Sequence, residues 1–264
     1  MGQPTYLGSG PLGLAAASLV EPAEAAREGV RDPAAFLASL MDLRGSVDLA
    51  QRLPAWAKAP PVGRTDTAGA LRLRALVEDR LGEVRAAIER VYKDPFQRRN
   101  KLPTPADLHA SLLPARQAGR ALGATVELCW APFGALVAGA LDRARFEVQV
   151  LREEIAPPLR ALGPFPSRLE RIDAALGEAT AKGRQQIFDR LIERLGRSFA
   201  RQLRAAIAGL TEASGVGAIE PWFRGNGWIR GEMEAGRRMV LAAFEHERAR
   251  LAALVDAACP GMRE

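Results

Sequence analysis

The sequence predicts an all-α protein, an elongated bundle of long antiparallel helices that resemble coiled-coil segments. Three observations support this prediction. Apolar residues recur at alternating spacings of four and three along several segments, which places them on one face of a helix. Prolines and glycines separate these segments, and no stretch shows the alternation typical of a strand. Alanine, leucine and arginine are abundant, and these residues lose little conformational freedom in a helix.

The chain divides, by its composition, into a leader at residues 1–63 and a helical bundle domain at residues 64–258. The leader is rich in glycine and proline and is predicted to be irregular, apart from one short amphipathic helix at residues 33–53. Residues 54–63 contain three prolines and predict a linker, because a helix cannot continue through them. Residues 8–13 match the glycine spacing of a dinucleotide-binding loop, but no strand precedes them, so no cofactor is predicted.

The bundle domain begins with a helix that we predict over residues 66–92. Pro95 ends this helix, and Thr104 is a candidate N-cap for the next one. A basic stretch at residues 85–101 is a first candidate anion-binding surface, and a solvated helix end is the alternative. The apolar seam of the first helix has the 4-3 spacing of a coiled coil. It comprises Val77, Leu81, Val84, Ile88 and Val91.

Residues 121–141 form the most apolar segment of the chain, and arginines flank it. Its length would suit a membrane span, but alanine and glycine dominate it and Pro132 lies within it, so a buried bundle helix is favoured. Glu127 has apolar neighbours, which leaves open a buried carboxylate with a raised pKa or a partly exposed one. Prolines predict a break at Pro132 and a stop at Pro157, with a helix over residues 133–155 between them.

Two further helices complete the predicted bundle. The longer one runs over residues 169–210, after a turn that the prolines at residues 164–166 predict. The last one runs over residues 228–258 and ends before Pro260. Apolar residues recur at helical spacing in both segments, so each is expected to bury one face.

The sequence lacks the residue patterns of catalytic and metal sites. The two histidines, His109 and His246, lie on different predicted helices, and charged neighbours predict an exposed side chain for His246. The two cysteines, Cys129 and Cys259, fit neither a disulfide framework nor a zinc site, and they suit a reducing cytoplasm. We therefore expect no metal, no cofactor, no small-molecule substrate and no enzyme activity.

The sharpest feature of the sequence is a row of arginines in the longest predicted helix. Spacings of 4, 3, 4 and 3 residues confine them to a narrow arc opposite the apolar residues. Such a face suits phosphate, anionic lipid or an acidic partner. The alternative is a solvated outer face partly paired with Asp189 and Glu193. This arginine stripe comprises Arg190, Arg194, Arg197, Arg201 and Arg204.

Aromatic residues are concentrated at the entrance to the last helix. Trp222, Phe223 and Trp228 lie close together in the sequence, with Arg224 and Arg230 beside them. Aromatic and arginine side chains together can stack on nucleic-acid bases or anchor a protein interface. They can also close the core over a loop, which is the favoured interpretation here.

Three segments of the second half carry a family resemblance. They run from Ser167 to Leu176, from Arg194 to Leu203 and from Gly227 to Arg230. Over roughly residues 71–257 the chain resembles an uncharacterised family of all-helical proteobacterial proteins, a domain of unknown function. Genes of that family lie near membrane proteins similar to motor stators and near OmpA-like anchors. The resemblance implies a cytoplasmic accessory of an envelope complex, and it implies no catalytic residues.

These observations predict a non-enzymatic helical adaptor or scaffold, cytoplasmic and peripheral to the inner membrane. We expect a protein partner, such as a membrane complex, and the heptad-like spacing also allows the chain to associate with itself. The alternative function is nucleic-acid binding through the arginine stripe and the basic stretch. A net charge of +6 permits contact with phosphate, although it is also what an ordinary solvated surface carries.

Overall fold

The computed structural model describes residues 66–96, 100–117, 122–211 and 213–258, together with Val47, Ala50 and Gln51. Within these residues the chain is helical and contains no strand, which confirms the predicted all-α fold class. The predicted leader and linker lie outside the described residues, except for the three isolated positions. The glycine pattern at residues 8–13 lies outside them as well.

Helices account for most of the part of the chain that the structure describes. Helix α4 covers the segment predicted at residues 169–210 as far as Ala208, and α6 coincides with the segment predicted at residues 228–258. A short 3-10 helix, Val216–Ala218, precedes α5. The helices are α1 (Thr67–Lys93), α2 (Pro105–Gln117), α3 (Leu122–Ala161), α4 (Pro164–Ala208), α5 (Glu220–Phe223) and α6 (Trp228–Ala258).

The start of α2 shows the predicted cap. The Thr104 hydroxyl oxygen accepts a hydrogen bond from the backbone N–H of Asp107 at 3.2 Å. The Asp107 carboxylate in turn accepts from the backbone N–H of Thr104 at 2.9 Å and from its hydroxyl at 2.7 Å. These reciprocal bonds satisfy N–H groups that the helix leaves without a partner, and they lower the pKa of Asp107.

Three predictions from the prolines are wrong. Helix α3 continues through Pro132 and through Pro157 to Ala161, and α4 begins at Pro164, where a turn was predicted. A proline inside a helix costs about 3 kcal/mol. Each large apolar side chain that α3 buries contributes about 1.5–3 kcal/mol, so a continuous buried face outweighs the backbone hydrogen bonds lost at Pro132, Pro157 and Pro158. That face comprises Val126, Cys129, Phe133, Val137, Leu141, Ala144, Val148, Leu151, Ile155 and Leu159.

The chain turns between α3 and α4 at Gly163. Its φ of +140° lies in a region that side chains with a Cβ rarely adopt, so a glycine is required at this position. Pro164 then occupies the first helical position of α4, where the N–H that proline lacks would have had no partner. The prolines at residues 164–166 therefore begin a helix.

The predicted membrane candidate at residues 121–141 falls on the first half of α3. Among the side chains described in it, at residues 125–141, Val126, Cys129, Phe133 and Val137 are buried at helical spacing while Glu127 and Leu128 are exposed, as in a helix with one face in a protein core. Among the described residues, no helix combines the length and the apolar character needed to cross a membrane.

The described residues form two compact units. Unit 1 contains those within Met1–Ala86, Ala144–Asp189 and Ala242–Glu264, and unit 2 contains those within Ala87–Arg143 and Arg190–Leu241. Helices α1, α3, α4 and α6 each contribute a segment to both units. The core of unit 1 is mainly aliphatic and includes Leu73, Val77, Leu81, Leu151, Ile155, Leu159, Leu251 and Val255. The core of unit 2 is rich in aromatic residues and includes Leu108, Phe133, Phe199, Leu203, Ile219, Ile229 and Met233.

Candidate interaction surface

The arginine stripe lies on the part of α4 that belongs to unit 2. The opposite face of this helix is held in the core, where Phe199 and Leu203 are fully buried. At 100° per residue, the five arginines fall within an arc of about 80°. Packing of the apolar face therefore fixes the direction in which the arginines point.

The arginines of the stripe differ in exposure and pairing. Arg194 is half-buried and the other four are exposed. Arg197 pairs with Glu193 one turn earlier at 3.0 Å, with both side chains about two-thirds exposed (68% and 64%). Among the carboxylates that the structure describes, none forms an ion pair with Arg190, Arg201 or Arg204. The charge of the stripe is therefore only partly neutralised by Asp189 and Glu193, the two acids that lie beside it in the sequence.

A buried carboxylate lies next to the stripe. Glu232, on α6, accepts a hydrogen bond from the hydroxyl of Ser198 on α4 at 2.8 Å. Burial raises the pKa of Glu232, while the Ser198 hydrogen bond and the charge of Arg201 partly oppose that rise. No sequence pattern indicated this residue, because Ser198 and Glu232 are 34 positions apart on different helices.

The three predicted aromatic residues come together in unit 2. The rings of Trp222 and Trp228 lie 5.7 Å apart, and Trp228 also contacts Phe199 at 5.1 Å. Phe223 contacts Phe96 edge-on at 5.3 Å. All three are half-buried against the core cluster. This placement agrees with the core-closing interpretation, and their use as an interface stays a prediction.

The indole of Trp130 occupies a close contact between two helices of unit 2. A Cβ atom built on Gly196 of α4 would lie 2.9 Å from Trp130 Nε1, and one built on Gly134 of α3 would lie equally close. Trp130 also packs on Phe199 at 5.4 Å. Gly134 and Gly196 leave the space that the indole needs. They therefore determine how closely α3 and α4 pack around Trp130 in unit 2.

The described part of the basic stretch at residues 85–101 contains both paired and exposed charges. Arg85 donates to Glu245 in unit 1 at 3.0 Å, which neutralises part of its charge. Lys93 and Lys101 are exposed in unit 2, and residues 97–99 lie outside the described residues. The side chain of Asn100 donates to carbonyl oxygens at the end of α1, including that of Pro95 at 2.9 Å. These described contacts agree with a solvated helix end, and use of the stretch as a binding site stays a prediction.

Unit 1 contains an ion-pair network that the sequence did not reveal. The carboxylate of Asp173 accepts from Arg152 and, at 2.6 Å, from Arg250, and the Asp173 carbonyl accepts from Arg250 at 2.5 Å. Glu247 pairs with Arg152 and Arg184, both at 3.3 Å. All five side chains are only 14–19% exposed. The network joins α3, α4 and α6 and holds three guanidinium groups against two carboxylates.

This network offers little acid–base chemistry. Both carboxylates are held by arginines, and a guanidinium does not lose its proton near neutral pH. The neighbouring His246 is half-buried, so the predicted exposed side chain is wrong. Burial, with the charges of Arg184 and Arg250, lowers the pKa of His246, although Glu247 opposes the shift. The imidazole is therefore neutral at pH 7. The charged groups around it, Arg184, Glu247 and Arg250, belong to the ion-pair network that joins the helices.

The structure also describes other residues considered from the sequence, whereas Cys259 lies outside the described residues. Glu127 is exposed, as in the second of the two predicted alternatives. His109 Nε2 lies 3.0 Å from the carbonyl oxygen of Ser214, a contact that joins α2 to the loop after α4. Burial raises the pKa of the Cys129 thiol to about 11, so little thiolate forms at neutral pH. Within the described residues, no three potential ligands come together to hold a metal ion.

Unit 1 also has a groove of about 300 Å³ between α1 and α6. Its floor is apolar and includes Val77, Leu81 and Val255. The charged residues at its rim pair with one another, as Arg74 does with Glu78 at 3.2 Å and with Asp256 at 3.7 Å.

Comparisons of the chain with protein-family models, curated proteins and solved structures gave no match.

Proposed function

We propose that this chain is a non-enzymatic helical adaptor that binds a protein partner through the arginine stripe of unit 2. One observation carries the proposal. The apolar side of α4 is packed in a core, while its arginine side faces outward and keeps three arginines without an ion pair to any described carboxylate. A helix held in this way presents its charges in a fixed row, as a docking surface requires.

The charged groups of unit 1 support an adaptor in preference to an enzyme. Catalysis by proton transfer needs an acid or base that is free to act on a substrate. In the ion-pair network the two carboxylates bind arginines, and the groove carries charges that pair with one another. The contacts of the network join helices to one another, so its carboxylates are not free to act as a general base on a substrate.

Nucleic-acid binding remains the competing function, because the same arginines could contact phosphates. Two features of unit 2 favour a protein partner. Glu193 and Glu232 place negative charge beside the stripe, where it would repel phosphate. The described Trp and Phe side chains of unit 2 are buried or half-buried against its core, so none stands exposed for base stacking.

For the cellular setting we propose a cytoplasmic accessory of an envelope or motor-like complex, peripheral to the inner membrane. The family resemblance supports this setting, and the arginine stripe supplies a surface through which such an accessory could dock. Self-association through helix faces would be compatible with the same role.

The test is recovery of partners from the native host with the tagged full chain. In the stripe variant, Arg197→Gln, Arg201→Gln and Arg204→Gln remove three exposed charges. In the control variant, Arg72→Gln, Arg143→Gln and Arg238→Gln remove the same charge from exposed sites outside the stripe. We expect the wild-type chain and the control variant to recover an envelope protein, and the stripe variant to recover at least tenfold less.

Two results would contradict the proposal. One is equal recovery by the stripe variant and the control variant, and the other is recovery of nucleic acid in place of a protein. Circular dichroism and denaturant unfolding of both variants establish that neither set of substitutions unfolds the helices.

A further inference from the structure

We infer that the partner surface is itself an acidic amphipathic helix, with carboxylates repeating at alternating spacings of four and three residues. This inference rests on the proposed adaptor function and specifies the chemistry of its partner. It follows from the geometry of the stripe, its local charge and the way in which α4 is buried.

The spacing of the arginines matches a helix. From Arg190 to Arg204 the stripe spans 14 residues, or about 21 Å, with an average interval of about 5.3 Å between charges. A second helix with acids at the same spacing presents carboxylates at the same interval. Because a 3.5-residue repeat drifts slowly around a helix, two such helices stay in register when they cross at the shallow angle of a coiled coil.

The local charge calls for several acids. The stripe carries five positive charges, and the described acids beside it are the exposed Asp189 and Glu193 and the buried Glu232. Counting all three as ionised leaves an excess of two positive charges on this face. A single exposed pair contributes only a small gain in affinity, roughly two- to fivefold, so useful affinity requires several pairs formed together.

The burial of α4 argues against a lipid surface as the occupant. A helix that lies on a membrane inserts its apolar face among the lipids. Here that face is already occupied, since Leu195, Phe199 and Leu203 are at most 1% exposed in the core of unit 2. The arginine side chains, with their alkyl stems, remain for the partner. An acidic helix can cover those stems while it pairs with their charged ends.

The test uses two helix-stabilised peptides of 21 residues with the same composition and the same covalent staple. In the first, five glutamates are spaced 4, 3, 4 and 3 on one face. In the second, five glutamates are spaced five residues apart, which distributes them around the helix. Fluorescence anisotropy measures binding of each peptide, and of duplex and single-stranded DNA of 20 nucleotides, to the full chain at low and moderate salt.

We expect the in-register peptide to bind at least tenfold more tightly than the out-of-register peptide and more tightly than either DNA. The stripe variant should lose about ten- to hundredfold in affinity for the in-register peptide, from three pairs of two- to fivefold each. The control variant should bind within about twofold of the wild-type chain. Affinity of the in-register peptide should fall as salt screens these exposed charges.

Equal affinity for the two peptides would overturn the inference, since charge without register would then suffice. Tighter binding of DNA than of the in-register peptide would overturn it in favour of nucleic acid. The partner-recovery experiment separates these outcomes from failure of the adaptor function. If recovery depends on the stripe while the peptides bind equally, the adaptor function stands and the acidic helix is wrong.

Discussion

The two units of this protein are stabilised by different chemistry. In unit 1, three helices are joined by a nearly buried network of arginines and carboxylates, centred on Asp173, within an aliphatic core. In unit 2, the aromatic rings of Trp130, Phe133 and Trp228 surround Phe199. Helix α4 supplies residues to both, with Asp173 in one and Phe199 in the other.

This difference indicates which kind of substitution should disturb the helix packing of each unit most. A nearly buried ion pair contributes little net stability, because desolvation offsets attraction, but loss of one partner leaves a charge without compensation. An aromatic cluster depends on shape, and a misplaced methyl group disturbs it. Unit 1 should therefore be most sensitive to removal of a charge, and unit 2 to added volume.

The largest effect is expected from Asp173→Ala in unit 1. This substitution leaves Arg152 and Arg250 without the carboxylate that holds both of them. We expect the free energy of unfolding to fall by about 2–4 kcal/mol, below the cost for a fully buried charge because these side chains retain some contact with solvent. Denaturant unfolding followed by circular dichroism measures the change.

The matched control is Asp79→Ala, at an exposed position of α1 in the same unit. It should change the free energy of unfolding by less than about 0.5 kcal/mol. A loss below about 1 kcal/mol for Asp173→Ala would mean that the network contributes nothing to the selection of helix partners in unit 1.

A smaller effect is expected from Gly196→Ala in unit 2. The new methyl group would lie 2.9 Å from Trp130 Nε1, so the indole must move against Gly134 or Phe199. We expect a loss of about 1–3 kcal/mol in the free energy of unfolding, as for other added volume in a packed core. Tryptophan fluorescence, to which Trp130 and three other tryptophans contribute, should change with it.

Gly139→Ala tests the same substitution where space is available. A Cβ built on this exposed position of α3 meets nothing within 4 Å. Because alanine is the better helix former, this variant should gain up to about 1 kcal/mol. Stabilisation by Gly196→Ala as well would show that close packing around Trp130 does not control unit 2.

The smallest effect is expected from Glu232→Gln. This substitution replaces the buried carboxyl group described beside the stripe with a neutral amide. Burial raises the pKa of Glu232 above its ordinary value of 4.5, so the folded chain holds this proton more tightly than the unfolded chain does. Stability from the neutral carboxyl is present below pH 4.5 and is lost as pH rises through the higher folded-state pKa.

The glutamine variant should therefore be slightly more stable than the wild-type chain at pH 7, and this difference should disappear towards pH 4. Denaturant unfolding at a series of pH values measures it. A less stable variant at pH 7 would show that attraction between Glu232 and Arg201 outweighs the cost of burial. In that case unit 2 would also rely on charge, and the contrast between the units would weaken.

Local patterns in the sequence determined much of this fold. Helical spacing alone placed Leu81, Val137 and Phe199 on buried faces, and Thr104 with Asp107 specified the start of α2. The arginine stripe was also evident, because each of its members lies three or four residues from the next along a single helix. Each of these features depends on neighbours in the sequence, which a periodic pattern can report.

Tertiary structure decided the rest. The helix through Pro132 persists because a buried face on both sides outweighs one lost backbone hydrogen bond, and a local rule cannot weigh that burial. The partners of Asp173 are 21 and 77 positions away, so no spacing could pair them. Sequence periodicity thus determined which side of each helix is apolar. Packing of distant helices decided which charges meet, because those energies arise only when the helices come together.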